Sequence, residues 1–272
     1  RHSTEMVSSK PEAAQGQMWE VRRIWRFLRI YGFVRTLFKV AGRLRIGRSS
    51  LLSWRVWPVP RDIAVLGCGQ FAFASIGYVI TSRFGRRFRR CFDIDVQAMH
   101  SFERFFSVPL RSDTPEDIMR DAKVRFVYVA SNHASHAPYA VAALAAGKIV
   151  YVEKPVSVSI DALRTLSLAR RDASGMIYAG YNRPFAPAIQ QLKLYCENAN
   201  GPLIASFFVS GHQIPEHHWY RRPEEGTRVC GNLGHWLDLA IHMLKWNEFP
   251  DRWTIRLICS REDIRDDNVT VS

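Results

Sequence analysis

The chain has 272 residues, of which 47% are hydrophobic and 23% are charged. This composition excludes wholesale disorder and a fibrous repeat, and the length suits one large domain or two ordinary ones. Most of the formal net charge of +13 lies near the start, where residues 1–60 carry 12 Lys and Arg against 3 Asp and Glu. The five cysteines show no CxxC spacing, which argues against a disulfide framework and a cysteine zinc site and favours a reducing cytoplasm.

Residues 1–17 are polar and are expected to be a disordered lead, and residues 18–60 follow as a basic helical arm and linker. Apolar residues recur in the arm at helical spacing between arginines, which predicts an amphipathic helix that breaks at Gly32 and a second helix that ends at Gly47. Two interpretations stay open for residues 18–48. They lie on an anionic membrane surface, at the inner face of the membrane, or they dock on the rest of the chain. A nucleic-acid partner is not expected, because no recognised nucleic-acid fold accompanies the arm.

Strands and helices alternate from residue 61 to residue 181, which predicts a doubly wound parallel α/β sheet of the Rossmann type. A membrane span over the uncharged residues 63–82 is the rival interpretation, but Gln70 and several glycines interrupt that stretch. The predicted strands are Ile63–Gly67, Arg89–Asp93, Arg125–Ala130, Ile149–Val152 and Met176–Tyr181, and the predicted helices are Phe71–Phe84, Val96–Phe106, Ala134–Ala146 and Ile160–Ala173.

Residues 182–272 depart from this alternation and are expected to form a second, α+β substrate domain. Because the chain opens on Arg1 and stops inside an unfinished alternating strand, we expect a fragment whose open sheet is incomplete at the C-terminus. The predicted elements are a helix at Ala186–Ala199, a strand at Leu203–Ser210, a helix at Cys230–Trp246, and strands at Trp253–Cys259 and from Asn268.

A glycine-rich motif, GxGxxA, follows the first predicted strand at residues 67–72. Such a motif supplies a tight turn, a close approach of the backbone to pyrophosphate and a helix N-terminus for the phosphates. Asp93 ends the second strand, where a carboxylate accepts hydrogen bonds from the adenosine ribose. The pattern predicts bound NAD, with NADP as the alternative because Arg89 or Arg90 could reach a 2′-phosphate. The cofactor-binding residues expected from this motif are Gly67, Gly69, Gln70, Phe71 and Asp93.

Two further segments follow predicted strands at the edge where a parallel sheet binds its ligands. They are residues 131–136, which begin Ser131-Asn132-His133, and Glu153-Lys154-Pro155. From its position alone, Lys154 is as consistent with an ordinary surface lysine as with an ammonium beside the nicotinamide.

Residues 142–155, with the sequence AALAAGKIVYVEKP, resemble the AL-x-AGK-x-V-x-x-EKP signature of the Gfo/Idh/MocA oxidoreductase family, and Asn132-His133 with His136 resembles its NH-x-x-H element. Residues 180–185 are similar to the family's (F/Y)NRRF, with Pro184 in place of the second arginine. The resemblance covers about residues 61–272. It implies a Rossmann domain before an α+β domain, bound NAD(P), and a sugar, cyclitol or nucleotide-sugar substrate. A homo-oligomer is also expected. The resemblance adds Ser131, Asn132, His133, His136 and Glu153 to the expected cofactor site.

Residues 226–239 resemble the family's GGR-x-x-GE-x-x-HF-x-DL segment, in which the histidine is the usual catalytic base beside the EKP lysine. The resemblance therefore implies His235 and Lys154 as catalytic residues, while Asn232 replaces the family's acid. Asn232, His235 and Asp238 share one helix face, from which Asp238 could orient the imidazole. The residues expected to bind substrate are Arg183, His218, Trp219 and Asn232.

No metal is expected, although five histidines follow residue 211. His235 and His242 lie about 10 Å apart along a helix, which is too far to share one ion. The remaining three are His212, His217 and His218.

The expected function is an NAD(P)-dependent oxidoreductase that moves a hydride between the nicotinamide and a secondary alcohol, such as a nucleotide sugar of surface-polysaccharide synthesis. One alternative is a redox-assisted, NAD-dependent glycosidase or lyase. Another is a non-catalytic NAD-binding scaffold docked through its basic arm, which Asn232 favours.

Overall fold

A computed structural model describes residues 25–45, 59–197, 203–211, 214–246, 249, 251–260 and 268–272. Its centre is a six-stranded parallel sheet in the order β3-β2-β1-β4-β5-β6. This order reverses between β1 and β4, which places the ligand crevice at the carboxyl ends of those two strands. The doubly wound α/β sheet is therefore confirmed. Its strands are β1 Ile63–Leu66, β2 Phe88–Phe92, β3 Leu110–Arg111, β4 Phe126–Val129, β5 Ile149–Val152 and β6 Ile177–Ala179.

Helices cover both faces of the sheet, because successive residues of a buried strand point to opposite sides. In β1, Ile63 and Val65 face one apolar cluster while Ala64 and Leu66 face the other. The first face is covered by α1 (Phe33–Arg43), a π-helical segment (Ala72–Gly77), α2 (Tyr78–Phe84) and α3 (Val96–Phe106). The second face is covered by α4 (Pro115–Arg120), α5 (His133–Ala145) and α6 (Ile160–Asp172).

The N-terminal arm packs on the first face where the structure describes it. Residues 25–31 are helical, Gly32 breaks the helix with a φ of 81°, and α1 follows. Phe38 of α1 is only 2% exposed and meets the Phe105 ring edge-on at 5.4 Å. The predicted break at Gly32 is confirmed, and the burial of Phe38 and Ala41 favours the docked interpretation for α1. The predicted lead, most of the linker and the predicted helix end at Gly47 lie outside the described residues.

The chain after β6 forms shorter elements. They are α7 (Pro187–Glu197), 3-10 turns at Arg183–Phe185, Trp219–Arg221 and Pro223–Glu225, a π-helical segment at Val229–Leu233, α8 (Gly234–Leu244), and an antiparallel pair of β7 (Leu257–Cys259) and β8 (Val269–Val271). The predicted strand at residues 203–210 is wrong, because this segment pairs with no other described strand and leaves Phe208 99% exposed. The predicted division at residue 181 stays a prediction.

Helix α4 and strand β3 of the sheet region were not predicted from the sequence. Helix α4 nevertheless has a recognisable N-terminal signal. Thr114 forms a capping box with Asp117, and Pro115 occupies the first turn of α4. A threonine followed by proline and then an acid at the third position is a known helix start. Strand β3 has only two residues, which is too short for a periodic pattern to reveal.

Within the described residues, no helix is both long enough and apolar enough to cross a bilayer.

The aromatic cluster beneath α1 gives a test of this packing. A Cβ on Gly77 would overlap the Phe106 ring, which itself packs against Phe102 at 4.5 Å. Gly77→Ala should therefore lower the free energy of unfolding by about 1–3 kcal/mol, as overpacking does. Urea unfolding followed by circular dichroism measures this. Gly69→Ala is the control, because beyond the adjoining backbone no atom of the described residues lies within 4 Å of a Cβ at Gly69. Equal midpoints for the two variants would contradict this packing.

Candidate functional site

The glycine-rich turn after β1 contains two glycines that the fold treats differently. Gly67 has a φ of 93°, and a Cβ there would overlap the Ala130–Ser131 backbone, so the fold itself requires this glycine. A Cβ at Gly69 would meet no atom of the described residues within 4 Å, so their packing does not require a glycine there. The space beside Gly69 fits the close approach of a dinucleotide pyrophosphate to the backbone.

Asp93 is held beside this turn by two backbone groups. Its Oδ2 accepts the Cys68 N–H at 2.6 Å and its Oδ1 accepts the Asp95 N–H at 2.8 Å. A carboxylate can accept about four hydrogen bonds, so both oxygens retain capacity for ribose hydroxyls. The geometry therefore fits the predicted ribose-binding role of Asp93.

The two arginines considered as partners of a 2′-phosphate are engaged elsewhere. Arg89 Nε and Arg90 Nε donate to the same oxygen, Oδ2 of Asp121, at 2.8 and 2.7 Å. This pairing lowers the pKa of Asp121, although its burial acts in the opposite direction. Neither arginine is oriented toward the glycine-rich turn by its hydrogen bonds.

The side chains of the next two turn residues do not point to a common ligand. Gln70 Nε2 donates to the Lys39 carbonyl of α1 at 3.0 Å, and Phe71 is exposed. Their predicted contribution to cofactor binding stays a prediction. Their backbone N–H groups lie at the start of the helix, where such groups lack intrahelical acceptors.

Asn132 and His133, predicted to bind the cofactor, both contact Glu225, and their predicted cofactor contacts stay a prediction. Asn132 Nδ2 donates to Glu225 Oε1 at 2.8 Å, and the Ala134 N–H donates to Oε2 at 3.0 Å. His133 Nδ1 lies 2.9 Å from the Glu225 carbonyl oxygen, and burial lowers the pKa of this histidine to about 4. These contacts join the start of α5 to the segment that follows α7.

His136, also predicted in the cofactor site, is only 1% exposed. Its Nδ1 lies 2.7 Å from the Pro155 carbonyl oxygen and its Nε2 lies 3.1 Å from that of Ser131, so the ring links the loops after β4 and β5. Ser131 bonds Ser135 through their hydroxyls at 2.6 Å. Both ring nitrogens of His136 thus lie beside backbone carbonyl oxygens, and its predicted cofactor contact stays a prediction.

Glu153 is also largely buried in this part of the sheet. Its Oε1 accepts the Tyr151 hydroxyl at 2.6 Å and its Oε2 accepts the Lys154 N–H at 3.2 Å. Burial raises the pKa of Glu153. The carboxylate therefore orients the backbone at Lys154, and its predicted cofactor contact stays a prediction.

Lys154 stands at the head of a short hydrogen-bond chain. Its Nζ donates to the Gly231 carbonyl at 3.0 Å and to the Tyr220 hydroxyl at 3.3 Å, and that hydroxyl donates to Asn232 Oδ1 at 3.0 Å. Burial lowers the pKa of Lys154 and raises that of Tyr220 to about 12. Asn232, which stands where the family has an acid, is therefore an acceptor for a tyrosine rather than a charged partner of the lysine.

His235 lies close enough to this cluster for the positive charges there to change its pKa. Burial first, and then the positive charges of Arg183 and Lys154, lower the pKa of His235 to about 4. Its Nδ1 and Asp238 Oδ2 are both buried without a hydrogen-bond partner among the described residues. The predicted orienting bond from Asp238 to His235 is therefore not formed. The Tyr181 ring, edge-on at 6.0 Å, is the aromatic neighbour of His235 instead.

The predicted substrate-binding residues surround the same cluster. Arg183 lies over the Trp236 ring at 4.5 Å. His218 Nδ1 accepts the Tyr220 N–H at 3.2 Å, and the Trp219 ring meets His133 at 5.1 Å. These contacts bring the loop before α8 to the carboxyl end of the sheet.

The histidines form no metal centre in the part of the chain that the structure describes, where no group of three or more His, Cys, Asp or Glu residues is arranged to hold an ion. His212 lies outside that part.

Two residues of this site had no signal in the sequence that separated them from their neighbours. Tyr220 is one aromatic residue in a loop that also carries Trp219, and Glu225 is one of two adjacent glutamates. The position of Tyr220 requires a glycine at residue 231, because a Cβ at Gly231 would overlap the Tyr220 hydroxyl. Only the folded chain shows these partnerships.

The strand order, the glycine-rich turn and Asp93 together define a dinucleotide-binding domain of the Rossmann type. Residues 61–181 match the family model described as "Oxidoreductase family, NAD-binding Rossmann fold". This part of the chain is therefore similar to the NAD-binding domain of the Gfo/Idh/MocA oxidoreductases.

Relatives of known activity include dehydrogenases of cyclic alcohols. The chain is 31% identical over 134 residues to inositol 2-dehydrogenase 2 of Saccharopolyspora erythraea, a match that covers 48% of this chain and 39% of that protein. It is 31% identical over 154 residues to trans-1,2-dihydrobenzene-1,2-diol dehydrogenase of Oryctolagus cuniculus, covering 56% of this chain and 45% of that protein. Each match spans less than half of the relative.

Solved structures share the fold over a larger part of the chain. GenD2 from gentamicin A biosynthesis, in complex with NAD, has a TM-score of 0.58 and 22% identity and covers 75% of this chain and 58% of its own. An NAD-binding protein from Listeria innocua has a TM-score of 0.54 and 21% identity, with coverage of 68% and 55%.

The open space at Gly69 predicts a variant that separates binding from folding. Gly69→Ala should leave the urea midpoint unchanged, because its Cβ meets no atom of the described residues, yet it should weaken NADH binding by ~10-fold or more because the methyl group occupies the space of the pyrophosphate. Isothermal titration calorimetry measures the affinity. Unaltered NADH affinity in Gly69→Ala would show that the cofactor does not approach this residue.

The charges around His235 predict its titration. NMR of the imidazole protons in the free protein should give a midpoint at about 4 rather than at the ordinary 6.5. Lys154→Met should move the midpoint upward, because it removes one positive charge that disfavours the imidazolium. The shift should be partial, since burial is the larger cause and remains. A wild-type midpoint near 6.5 would place His235 outside this cluster.

Proposed function

We propose that the protein is an NAD-dependent oxidoreductase that acts on a secondary alcohol of a cyclitol or sugar, with nucleotide sugars among the candidate substrates. The observation that carries the proposal is the hydrogen-bond chain from Lys154 through Tyr220 to Asn232, with a neutral His235 under the influence of the same lysine. This cluster follows β5 at the edge of the sheet where a Rossmann domain binds its ligands.

When bound, NAD would supply the acceptor for the hydride of the alcohol carbon. Gly67, Gly69 and Asp93 would hold it, together with the backbone at the start of the following helix. Its nicotinamide end would face the loop that carries Lys154.

The residues of the chain would handle the hydroxyl proton. His235 is neutral at pH 7 because its pKa is lowered to about 4, so it can accept that proton in the oxidation direction. Lys154 has an ammonium whose burial lowers its pKa, which makes it a better proton donor and a strong local charge for a developing alkoxide. Tyr220 accepts one hydrogen bond from this ammonium and fixes its direction.

The substrate class is supported by two independent features. Relatives of the chain include dehydrogenases named for inositol and for a cyclic diol. Trp219 and Arg183 border the cluster, and an aromatic ring with a guanidinium suits a polyhydroxylated ring that has both an apolar face and hydroxyl edges.

A substrate panel tests this function. The protein is incubated with NAD and with myo-inositol, free hexoses or nucleotide sugars, and NADH is followed at its absorbance while products are identified by mass spectrometry. One NADH per oxidised alcohol supports the proposal. Product formation without net NADH would instead indicate the redox-assisted glycosidase or lyase, and NAD binding without turnover of any panel member would favour the scaffold.

The catalytic assignment makes a kinetic prediction. Lys154→Ala and His235→Ala should each lower kcat by ~10²-fold or more while leaving NAD affinity nearly intact, because acid–base groups act mainly in the transition state. The double variant should lose less than the product of the single losses, because both groups serve one oxygen.

His242→Ala is the matched control, since His242 lies on the same helix and packs its ring against Trp246 at 6.1 Å. It should keep full turnover. A His235→Ala variant as active as His242→Ala would refute the role of His235.

The proposal also includes association of residues 18–48 with an anionic membrane surface, through the exposed residues that precede the docked part of α1, and assembly into a homo-oligomer. In the described part of the arm, Trp25, Ile30 and Phe33 are exposed beside Arg26 and Arg29, which suits an anionic lipid surface. Flotation with vesicles that contain phosphatidylserine, at low and high salt, tests the membrane association. Light scattering tests the assembly into a homo-oligomer. Vesicle binding that is independent of lipid charge would reject the electrostatic interpretation.

A further inference from the structure

Helix α1 belongs to the surroundings of the glycine-rich turn. Phe38, near its middle, packs against the Tyr78 ring at 5.2 Å and against α3. Closer to its C-terminus, Gly42 lies against Phe73 and Gln70 so tightly that a Cβ would crowd both side chains. Helix α1 therefore runs along the first face of the sheet, between the helix that begins at the turn and α3, whose N-cap is Asp95. The C-terminal end of α1 reaches the ligand-binding edge of the sheet.

Arg45 follows the end of α1 and makes direct contact with the turn. Its Nη1 donates to the Cys68 carbonyl oxygen at 2.9 Å, while the Cys68 N–H donates to Asp93 Oδ2 at 2.6 Å. Arg45 and Asp93 thus hold opposite ends of the same turn residue. Arg45 is exposed and has a φ of 52°, in the left-handed region where glycine usually ends a helix.

We propose that Arg45 binds a phosphate group of the dinucleotide cofactor, so that the N-terminal arm completes the cofactor site. The inference rests on the proposed function, since it needs a dinucleotide in the Rossmann crevice. A guanidinium has five N–H donors, of which one is used by a described residue, through the Cys68 carbonyl, so the others can donate to phosphate oxygens.

Two phosphates of the cofactor share this chemistry. The pyrophosphate of NAD and NADP lies at the turn, and the 2′-phosphate of NADP extends from the ribose that Asp93 would bind. Asp93 alone would repel a 2′-phosphate, and Arg89 and Arg90 are already paired with Asp121. A cation at Arg45 would offset that repulsion beside the same carboxylate.

The test measures affinity rather than activity. Dissociation constants of the whole chain for NADH and for NADPH are determined by isothermal titration calorimetry for the wild type, Arg45→Gln and Arg45→Lys. Arg29→Gln is the matched control, because it removes the same charge from the same arm at an exposed position earlier in the chain. Arg45→Gln should weaken binding of at least one cofactor by ~10-fold or more, the usual scale for a hydrogen bond to a charged group, while Arg29→Gln should not.

The pattern of losses identifies the phosphate. Equal losses for NADH and NADPH support contact with the pyrophosphate, and a loss confined to NADPH supports contact with the 2′-phosphate. Both glutamine and lysine can donate to the Cys68 carbonyl, so partial recovery in Arg45→Lys but not in Arg45→Gln shows that the charge, and not the support of the turn, is responsible.

Unchanged affinities for both cofactors in Arg45→Gln would overturn the assignment and leave the proposed function standing. Equal losses in Arg45→Gln and Arg45→Lys, accompanied by a lower thermal midpoint, would also overturn it, because they indicate a purely structural contact. A wild-type chain that binds neither cofactor would overturn both this inference and the proposed function.

Discussion

One buried carboxylate, that of Glu225, determines where the second half of the chain meets the sheet. It is 7% exposed and accepts hydrogen bonds from the Asn132 amide and from the first turn of α5, while its own carbonyl lies against His133. A buried carboxyl group is costly without hydrogen-bond partners, so these contacts hold the segment around Glu225 against the start of α5. The 3-10 turn before Glu225 carries Tyr220 and the π-helical segment after it carries Asn232, so this contact helps to place both residues near Lys154.

The site that results combines desolvated cations with buried groups that lack partners. Arg183 and Lys154 both act on His235, whose Nδ1 has no hydrogen-bond partner among the described residues, and neither does Asp238 Oδ2 nearby on α8. Leaving a buried polar atom without a partner costs about 1–3 kcal/mol. Thr81, Ser112 and Trp246 also have buried polar atoms without a partner among the described residues, so what distinguishes His235 is its position near the charges of Arg183 and Lys154.

The central sheet was predictable because each strand and helix carries its own local pattern, and β5 has the predicted bounds, Ile149–Val152. The glycine-rich turn and Asp93 were equally visible, since their spacing is fixed by backbone geometry. The hydrogen-bond partners of Asn132 and His136 could not be predicted, because the sequence shows that a polar residue follows a strand but not which partner it contacts. The strand expected at residues 203–210 failed for a similar reason, since an alternating segment becomes a strand only beside another strand.

The position of α1 shows that the segment matched by the family model and the segment that shares one buried core have different bounds. The family match begins at residue 61, yet Phe38 and Ala41 belong to the same buried cluster as Phe73 and Phe106. The segment that the family model matches is therefore smaller than the segment that packs together. Sequence upstream of a common domain can diverge without disturbing the strands, so homologous Rossmann domains can acquire different covers over one surface. A segment upstream of the domain, such as α1, therefore allows proteins that share a Rossmann scaffold to differ while the residues of the scaffold stay the same.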